Sequence, residues 1–259
     1  MGLSQYVLIT GAGSDLGKAL ALRFAREGYH LVLTDHEATK LLQLEAEVSN
    51  LYPSTIVVVI PKDLSSPSAA EELHEEVKEE GIMVNVLVNL PPASEPGYFV
   101  ETNWTDDEQL LNMLHTLTYL TKIFLREMLL RNNGKILQVI CTSSFILSSR
   151  RAVFGAMQSY ILFFAEALQH ELADKDVTLS IMSQGISERD APPADNVIPT
   201  SNDVRMIEVD EIASLGYDAI VTGKKHVIAG FKEDQVGIDQ LIPDSWSIAI
   251  LNKMKEDRS

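Results

Sequence analysis

Tyr6-Val-Leu-Ile-Thr-Gly-Ala-Gly-Ser-Asp-Leu-Gly17 carries a short apolar run directly into a glycine-rich turn, and an amphipathic stretch from Leu16 to Glu27 follows, closed by Gly28. A buried strand, a tight turn and a helix in that order are the context that a phosphate-binding turn requires. Glycine lets the backbone approach a pyrophosphate, and a helix N-terminus offers amides and a favourable dipole. The spacing Gly11, Gly13, Gly17 differs by one residue from G-x-G-x-x-G. The same glycines would also serve packing alone at such a turn.

The alternation continues outward from this unit. Apolar runs at His30–Thr34, Thr55–Ile60, Val84–Asn89, Lys135–Ile140, Val177–Ile181 and Lys225–Ile228 read as strands. Helical patterns lie between them at Thr39–Leu51, Ser68–Glu80, Asp106–Leu130, Ala152–Lys175 and Glu208–Thr222, with Gly81 and Asn132-Asn133-Gly134 as stops. Strands separated by helices predict βαβ units, hence a doubly wound parallel α/β sheet in a single domain. Residues 187–205 are rich in Pro, Asp, Asn and Ser and read as a mobile loop.

Composition narrows the function classes. The chain has 259 residues, 46% of them hydrophobic, which suffices for one continuous core. A formal charge of -16 argues against nucleic acid and anionic membrane as partners, since both are held by basic patches. The single cysteine, Cys141, excludes an intrachain disulfide and suits a reducing compartment. The first residues have neither a basic segment nor a long apolar one, so no signal peptide is read and the cytoplasm is expected. The six histidines show no metal spacing, and no metal site is expected.

Asp35 comes about twenty residues after the turn, where a carboxylate accepts hydrogen bonds from the ribose hydroxyls of a dinucleotide and repels a 2′-phosphate. The next residue, His36, is not an arginine. Any dinucleotide held here is therefore expected to be NAD rather than NADP.

Further stretches carry a family resemblance. Cys141-Thr-Ser-Ser-Phe145, Phe154-Gly-Ala-Met-Gln158 and Ala165-Glu-Ala-Leu-Gln-His-Glu-Leu172 resemble the catalytic segment of the short-chain dehydrogenase/reductase family, a Rossmann fold. Thr10-Gly-Ala-Gly-Ser-Asp-Leu-Gly17 resembles its T-G-x-x-x-G-x-G turn, with Asp15 in place of the middle glycine. Asp63-Leu64 is similar to its adenine-contacting pair, and Asn89 to the first residue of its N-N-A-G motif, which continues here as Leu90-Pro91-Pro92. The resemblance extends to Ile212-Ala-Ser-Leu-Gly-Tyr-Asp-Ala219, Gly223-Lys-Lys-His-Val-Ile-Ala-Gly230 and the tail from Leu241-Ile-Pro243. It implies cofactor contacts at Gly11, Gly13, Ser14, Asp15, Leu16, Gly17, Asp35, Asp63, Leu64 and Asn89.

The same resemblance implies a serine, a tyrosine thirteen residues later and a lysine four residues beyond that. This chain has Cys141, Phe154 and Gln158 at those positions. The relay asparagine falls at Met113, with Asn112 one residue out of register; the proline-glycine pair after the sixth strand reads Gln184-Gly185, and the carboxamide-anchoring threonine reads Arg189. Phenylalanine cannot exchange a proton, a neutral glutamine cannot depress a neighbour's pKa, and a thiol is a weak donor. Tyr160 lies six positions past Phe154, about 240° around the helix, and faces elsewhere. Ser143, Ser144, Ser148 and Ser149 have no partner base, and Arg150-Arg151 is the only cationic pair nearby.

The expectation is a non-catalytic family member, a binding or regulatory protein with a weak NAD site or none. Two alternatives stay open: an NAD-dependent oxidoreductase with a rearranged proton donor, and a silent subunit paired with an active paralogue. The consecutive Tyr160-Ile-Leu-Phe-Phe164 cannot all face one core, so a homodimer or tetramer through helices 106–130 and 152–175 is expected, as the family commonly forms.

Overall fold

The computed structural model describes residues 5–92, 97–141, 151–184 and 207–229. Strands β1 (Tyr6–Thr10), β2 (His30–Asp35), β3 (Val57–Pro61), β4 (Val84–Asn89), β5 (Gly134–Cys141), β6 (Val177–Gln184) and β7 (His226–Ala229) form one sheet. Its order is β3-β2-β1-β4-β5-β6-β7, and every pairing is parallel. Helices α1 (Asp15–Arg26), α2 (Ala38–Leu51), α3 (Ala69–Glu79), α4 (Trp104–Leu130), α5 (Ala152–Glu171) and α6 (Val209–Thr222) connect the strands. This is the doubly wound Rossmann-like α/β fold, in a single domain.

Alternate strand residues divide the core between two faces. Val7, Ile9, Leu31, Leu33 and Val139 meet α1, α2 and α6, while Leu8, Val32, Leu87, Ile136 and Ile181 meet α3, α4 and α5. Phe24 and Phe124, 0% and 1% exposed, anchor the two layers, each burial contributing about 1.5–3 kcal/mol.

The strand order reverses between β1 and β4. At such a point the connections leave in opposite directions and open a crevice beyond the strand C-termini. Thr10 ties the two strand ends together: its hydroxyl donates to the Val88 carbonyl at 3.4 Å and accepts from the Leu90 amide at 3.1 Å.

Several boundaries differ from the sequence expectation. Asp35 is the last residue of β2, because that strand stays paired with β3 as far as Asp35 opposite Pro61. The Asn103 side chain accepts from the Thr105 amide at 3.2 Å, starting α4 at Trp104. Gly134 opens β5 instead of ending the preceding helix, and a Cβ there would come 2.1 Å from Cγ of the buried Met128. Helix α5 stops at Glu171, where the amides of Ala173 and Lys175 turn to carbonyls three residues back. β6 runs on to Gln184, since β5 and β7 pair with it on both sides. The loop expected at 187–205 lies outside the described residues. None of the described helices is long and apolar enough to cross a membrane.

Candidate functional site

The turn after β1 is held by its own atoms. Gly11 has φ +64°, a left-handed conformation that suits a residue without Cβ. Ser14 caps α1, its hydroxyl donating to the Gly11 carbonyl at 2.7 Å and accepting from the Gly17 amide at 3.0 Å. A Cβ on Gly17 would stand 2.3 Å from the Gly11 carbonyl oxygen, so the helix approaches the turn as closely as backbone allows. Leu16 is buried and anchors the helix start to the core, whereas Asp15 is exposed in the first turn. Its negative charge opposes an anion at the same helix end.

Asp35 reaches across to this turn. Its carboxylate, 10% exposed, accepts from the Gly13 amide at 3.1 Å and from the Glu37 amide at 3.1 Å. A Cβ on Gly13 would lie 3.0 Å from the Asp35 Cγ, so glycine is what permits the contact. The exposed His36 places Nδ1 2.9 Å from the Asp35 carboxylate. Beyond β3, Asp63 accepts from the Ser65 hydroxyl at 2.7 Å and amide at 2.9 Å. Those bonds, hydroxyl first, hold its carboxyl below the usual range against partial burial, and the His36 charge adds to the lowering. The Leu64 side chain turns into the core beside α3.

At the end of β4, Asn89 is 1% exposed, and its amide nitrogen donates to the Thr121 hydroxyl at 2.9 Å. Thr121 accepts a second bond from buried Gln138 at 2.9 Å and donates to the Leu117 carbonyl at 2.8 Å. Asn89 Oδ1 has no hydrogen-bond partner among the described residues. Asn89 thus joins β4 to α4, with Gln138 opposite it on β5. Sequence reasoning singled out Asn89 and missed the Thr121–Gln138 half, which becomes visible only when strand register is known. Leu90 is buried, and Pro91 and Pro92 are half-buried.

The positions matched to the family's acid–base residues cluster at the end of β5. Gln158 is 0% exposed, and its side-chain carbonyl accepts the Cys141 backbone amide at 2.9 Å. Its Nε2 has no hydrogen-bond partner among the described residues. Phe154, one turn earlier on α5, is 3% exposed, with the Arg151 guanidinium 6.0 Å from its ring centre. Met113 packs against the same core layer from α4. Gln158 offers a hydrogen-bonded amide and Phe154 apolar surface, and neither of these two side chains titrates. Tyr160, 44% exposed, does face elsewhere. Ser143, Ser144, Ser148, Ser149, Arg150, Gly185 and Arg189 lie outside the described residues, as do Gly230 and the tail from Leu241.

Two further polar pairs escaped sequence reasoning because they join distant segments. His74 Nε2 lies 2.7 Å from the Glu127 carboxylate between α3 and α4. His226 Nε2 lies 2.7 Å from the hydroxyl of buried Ser183 across β6 and β7. On the outer side of α4 and α5, a cleft of about 610 Å³ is lined by Lys122, Leu125, Arg126, Leu129, Phe164 and Leu168, among others.

Comparison with known proteins places these features. The family model described as short chain dehydrogenase matches residues 5–192. The mouse (Mus musculus) 17-beta-hydroxysteroid dehydrogenase type 3 is 24% identical over 186 residues, 70% of this chain and 59% of that protein. The chain therefore spans less than two thirds of that relative's length. Among solved structures, a short-chain dehydrogenase from Sphingobium yanoikuyae in complex with NADPH has a TM-score of 0.79 at 21% identity, covering 97% of this chain and 95% of that one. A short chain dehydrogenase/reductase from Burkholderia phymatum in complex with NAD has a TM-score of 0.73 at 20% identity, covering 87% and 88%. These two likenesses concern the fold.

Proposed function

The chain belongs to the short-chain dehydrogenase family, and from that premise we propose that it is a non-catalytic member, a binding or regulatory protein that holds NAD weakly through the adenosine half. The observation that carries this reading is the environment of Gln158. Its carbonyl is occupied by the Cys141 amide, it is wholly buried, and Phe154 beside it is buried and apolar. General acid–base work needs a titratable group within reach of substrate, and neither side chain is one.

The adenosine side fits a nucleotide better. The Gly11–Gly17 turn lies directly against the start of α1, a backbone contact that only glycine at Gly17 permits, and the Asp35 carboxylate stands beside it for the ribose hydroxyls. Such a group would be held by the turn amides, Asp35 and the neighbourhood of Asp63. Bound NAD supplies hydride chemistry in active relatives. Here the residues around Asn89, with Leu90, Pro91 and Pro92 following, offer the nicotinamide little. Two features support weak binding: Asp35 already accepts the Gly13 amide, and Asp15 stands in the first turn of α1.

NAD is preferred over NADP in this reading, because the Asp35 carboxylate repels a 2′-phosphate. The solved relatives contain one with NADPH and one with NAD, so the preference rests on Asp35 alone. The test is a calorimetric titration with NAD, NADP and ADP-ribose, together with NADH consumption over a panel of carbonyl compounds. NAD binding without turnover supports the proposal. Turnover approaching the enzyme median of about 10 per second overturns it. One observation favours a second reading, a working oxidoreductase with another proton donor: the mouse relative is named as a dehydrogenase.

Assembly is part of the proposal. Tyr160 and Phe163 are 44% and 43% exposed on α5 while Ile161 and Leu162 face the core. With the neighbouring cleft they form an apolar face that a second copy would cover in a two-fold dimer.

A further inference from the structure

The segment that leads into α4 forms a turn held by its own hydrogen bonds. The Tyr98 carbonyl accepts the amides of Glu101 at 2.8 Å and Thr102 at 3.0 Å. The Thr102 hydroxyl lies 3.1 Å from the Phe99 carbonyl and 3.0 Å from the carboxylate of Asp107, a buried residue in the first turn of α4. A Cβ on Gly97 would come 2.8 Å from Thr102 Cγ2, so the turn closes tightly on its own start. Asn103 then caps the helix through the Thr105 amide.

This turn presents apolar side chains to solvent. Tyr98, Phe99 and Trp104 are 51%, 58% and 62% exposed, Val100 is 89% exposed, and none of the four belongs to either core layer. Single exposed apolar residues are ordinary, but three aromatics and a valine on one hydrogen-bonded turn form a patch of the kind that marks an interaction site. Tryptophan and tyrosine are also the side chains that most often dominate binding energy at protein interfaces.

The charge around the patch selects the partner. Glu101, Asp106 and Glu108 are exposed and form no salt bridge among the described residues. From Gly97 to Thr121 the chain has no lysine or arginine. Aromatic faces attract a lysine or arginine head through the ring quadrupole, and carboxylates at the rim add to that attraction. A second copy docked through this turn would set the same carboxylates against these, and an anionic membrane would repel them. A zwitterionic membrane takes tryptophan and tyrosine at its interface, but the three carboxylates would lose hydration on entering with them.

We propose that the 97–104 turn docks a partner protein, through a segment of that partner whose leucine-type side chains are flanked by lysine or arginine. Phe99, Val100 and Trp104 supply the buried centre of the contact, and Glu101, Asp106 and Glu108 its charged rim. Such docking suits a binding or regulatory protein and does not depend on nucleotide binding.

The test is fluorescence anisotropy of a labelled peptide of alternating leucine and arginine, titrated with the full chain at about 0.15 M salt. A second peptide has glutamate in place of arginine. The wild type is compared with Phe99→Ser, with Trp104→Ser, and with Glu101→Gln combined with Glu108→Gln. Glu75→Gln combined with Glu79→Gln removes two exposed carboxylates from α3 instead. Melting curves should match the wild type, because all the substituted side chains are exposed. Phe99→Ser and Trp104→Ser should each weaken binding of the arginine peptide about tenfold. The Glu101 and Glu108 pair of changes should weaken it about fivefold, the α3 pair should leave it unchanged, and the glutamate peptide should not bind. Equal affinity in the wild type and Phe99→Ser overturns the proposal, as does an equal loss from the two pairs of glutamate changes. Absence of arginine-peptide binding up to about 1 mM overturns it too. Co-sedimentation with phosphatidylcholine vesicles that is lost in Phe99→Ser would assign the turn to a lipid surface and likewise overturn it.

Discussion

The Gln158 side-chain carbonyl accepts the backbone amide of Cys141 at 2.9 Å, bracing α5 against the last residue of β5. Both residues stand where relatives of this chain are expected to carry catalytic groups. In this protein the contact is a strut, and its loss should be read first as a loss of stability. Gln158→Ala leaves a part-buried amide without its acceptor, at a cost of about 1–3 kcal/mol, measurable by urea unfolding. Gln158→Lys should destabilise at least as much, since an ammonium would replace a wholly buried neutral group. Phe154→Tyr with Gln158→Lys is expected to remain inactive, because Cys141 and Met113 also differ from the family pattern.

Gly13 and Gly17 should separate binding from folding. A Cβ added at Gly17 would stand 2.3 Å from the Gly11 carbonyl oxygen and 2.7 Å from the Ala12 Cα, both backbone atoms. Gly17→Ala should therefore cost about 1–3 kcal/mol of stability and abolish nucleotide binding. Gly13→Ala meets the Asp35 side chain first, at 3.0 Å. It should shift that carboxylate, weakening NAD binding while thermal stability changes less. Melting curves and calorimetry on the two variants check the contrast.

Acid sensitivity should trace to His226. Burial holds its imidazole below the ordinary value of 6.5, so between that value and the folded one the unfolded chain binds more protons. Its neutral form in the fold is therefore fully compatible with stability above about pH 6.5, and stability falls as pH drops below it. Glu166 acts in the opposite direction, its carboxyl raised above 4.5 by burial, with the His170 charge opposing. Urea midpoints measured across this range should decline in the wild type and decline less in His226→Gln. Parallel curves would assign the acid loss to other groups.

The exposed side chains of α5 test assembly. Tyr160→Glu and Phe163→Glu should each convert a dimer to a monomer by light scattering, with the fold retained by circular dichroism. A wild-type protein that is monomeric at high micromolar concentration would remove the proposed interface.

Much of this architecture was legible in the chain because its signals are local. The run Tyr6–Thr10 and the turn to Gly17 follow from periodicity and glycine placement, and the run Tyr160–Phe164 required that some of its side chains turn away from the core, as exposed Tyr160 and Phe163 do. What was not legible depends on pairing between distant segments. β6 reaches Gln184 because β5 and β7 flank it, and Asp35 stays in β2 because β3 continues beside it. The sequence placed Gln158 and Asn89 at family positions, but their actual contacts, with Cys141 and Thr121, required the fold. His36 was notable in sequence only for not being arginine, whereas its geometry ties it to Asp35 and Glu37.

In the proposed function a nucleotide is held by its adenosine half, beside Phe154 and Gln158, two side chains that do not titrate. The most direct measurement is the ratio of NAD to ADP-ribose affinity by calorimetry on the wild-type protein. Similar affinities are expected, because the proposed contacts at Gly11–Gly17, Asp35 and Asp63 would be common to both ligands. NAD binding that exceeds ADP-ribose binding by about a hundredfold, or about 2.7 kcal/mol, would show a nicotinamide site in use and contradict it.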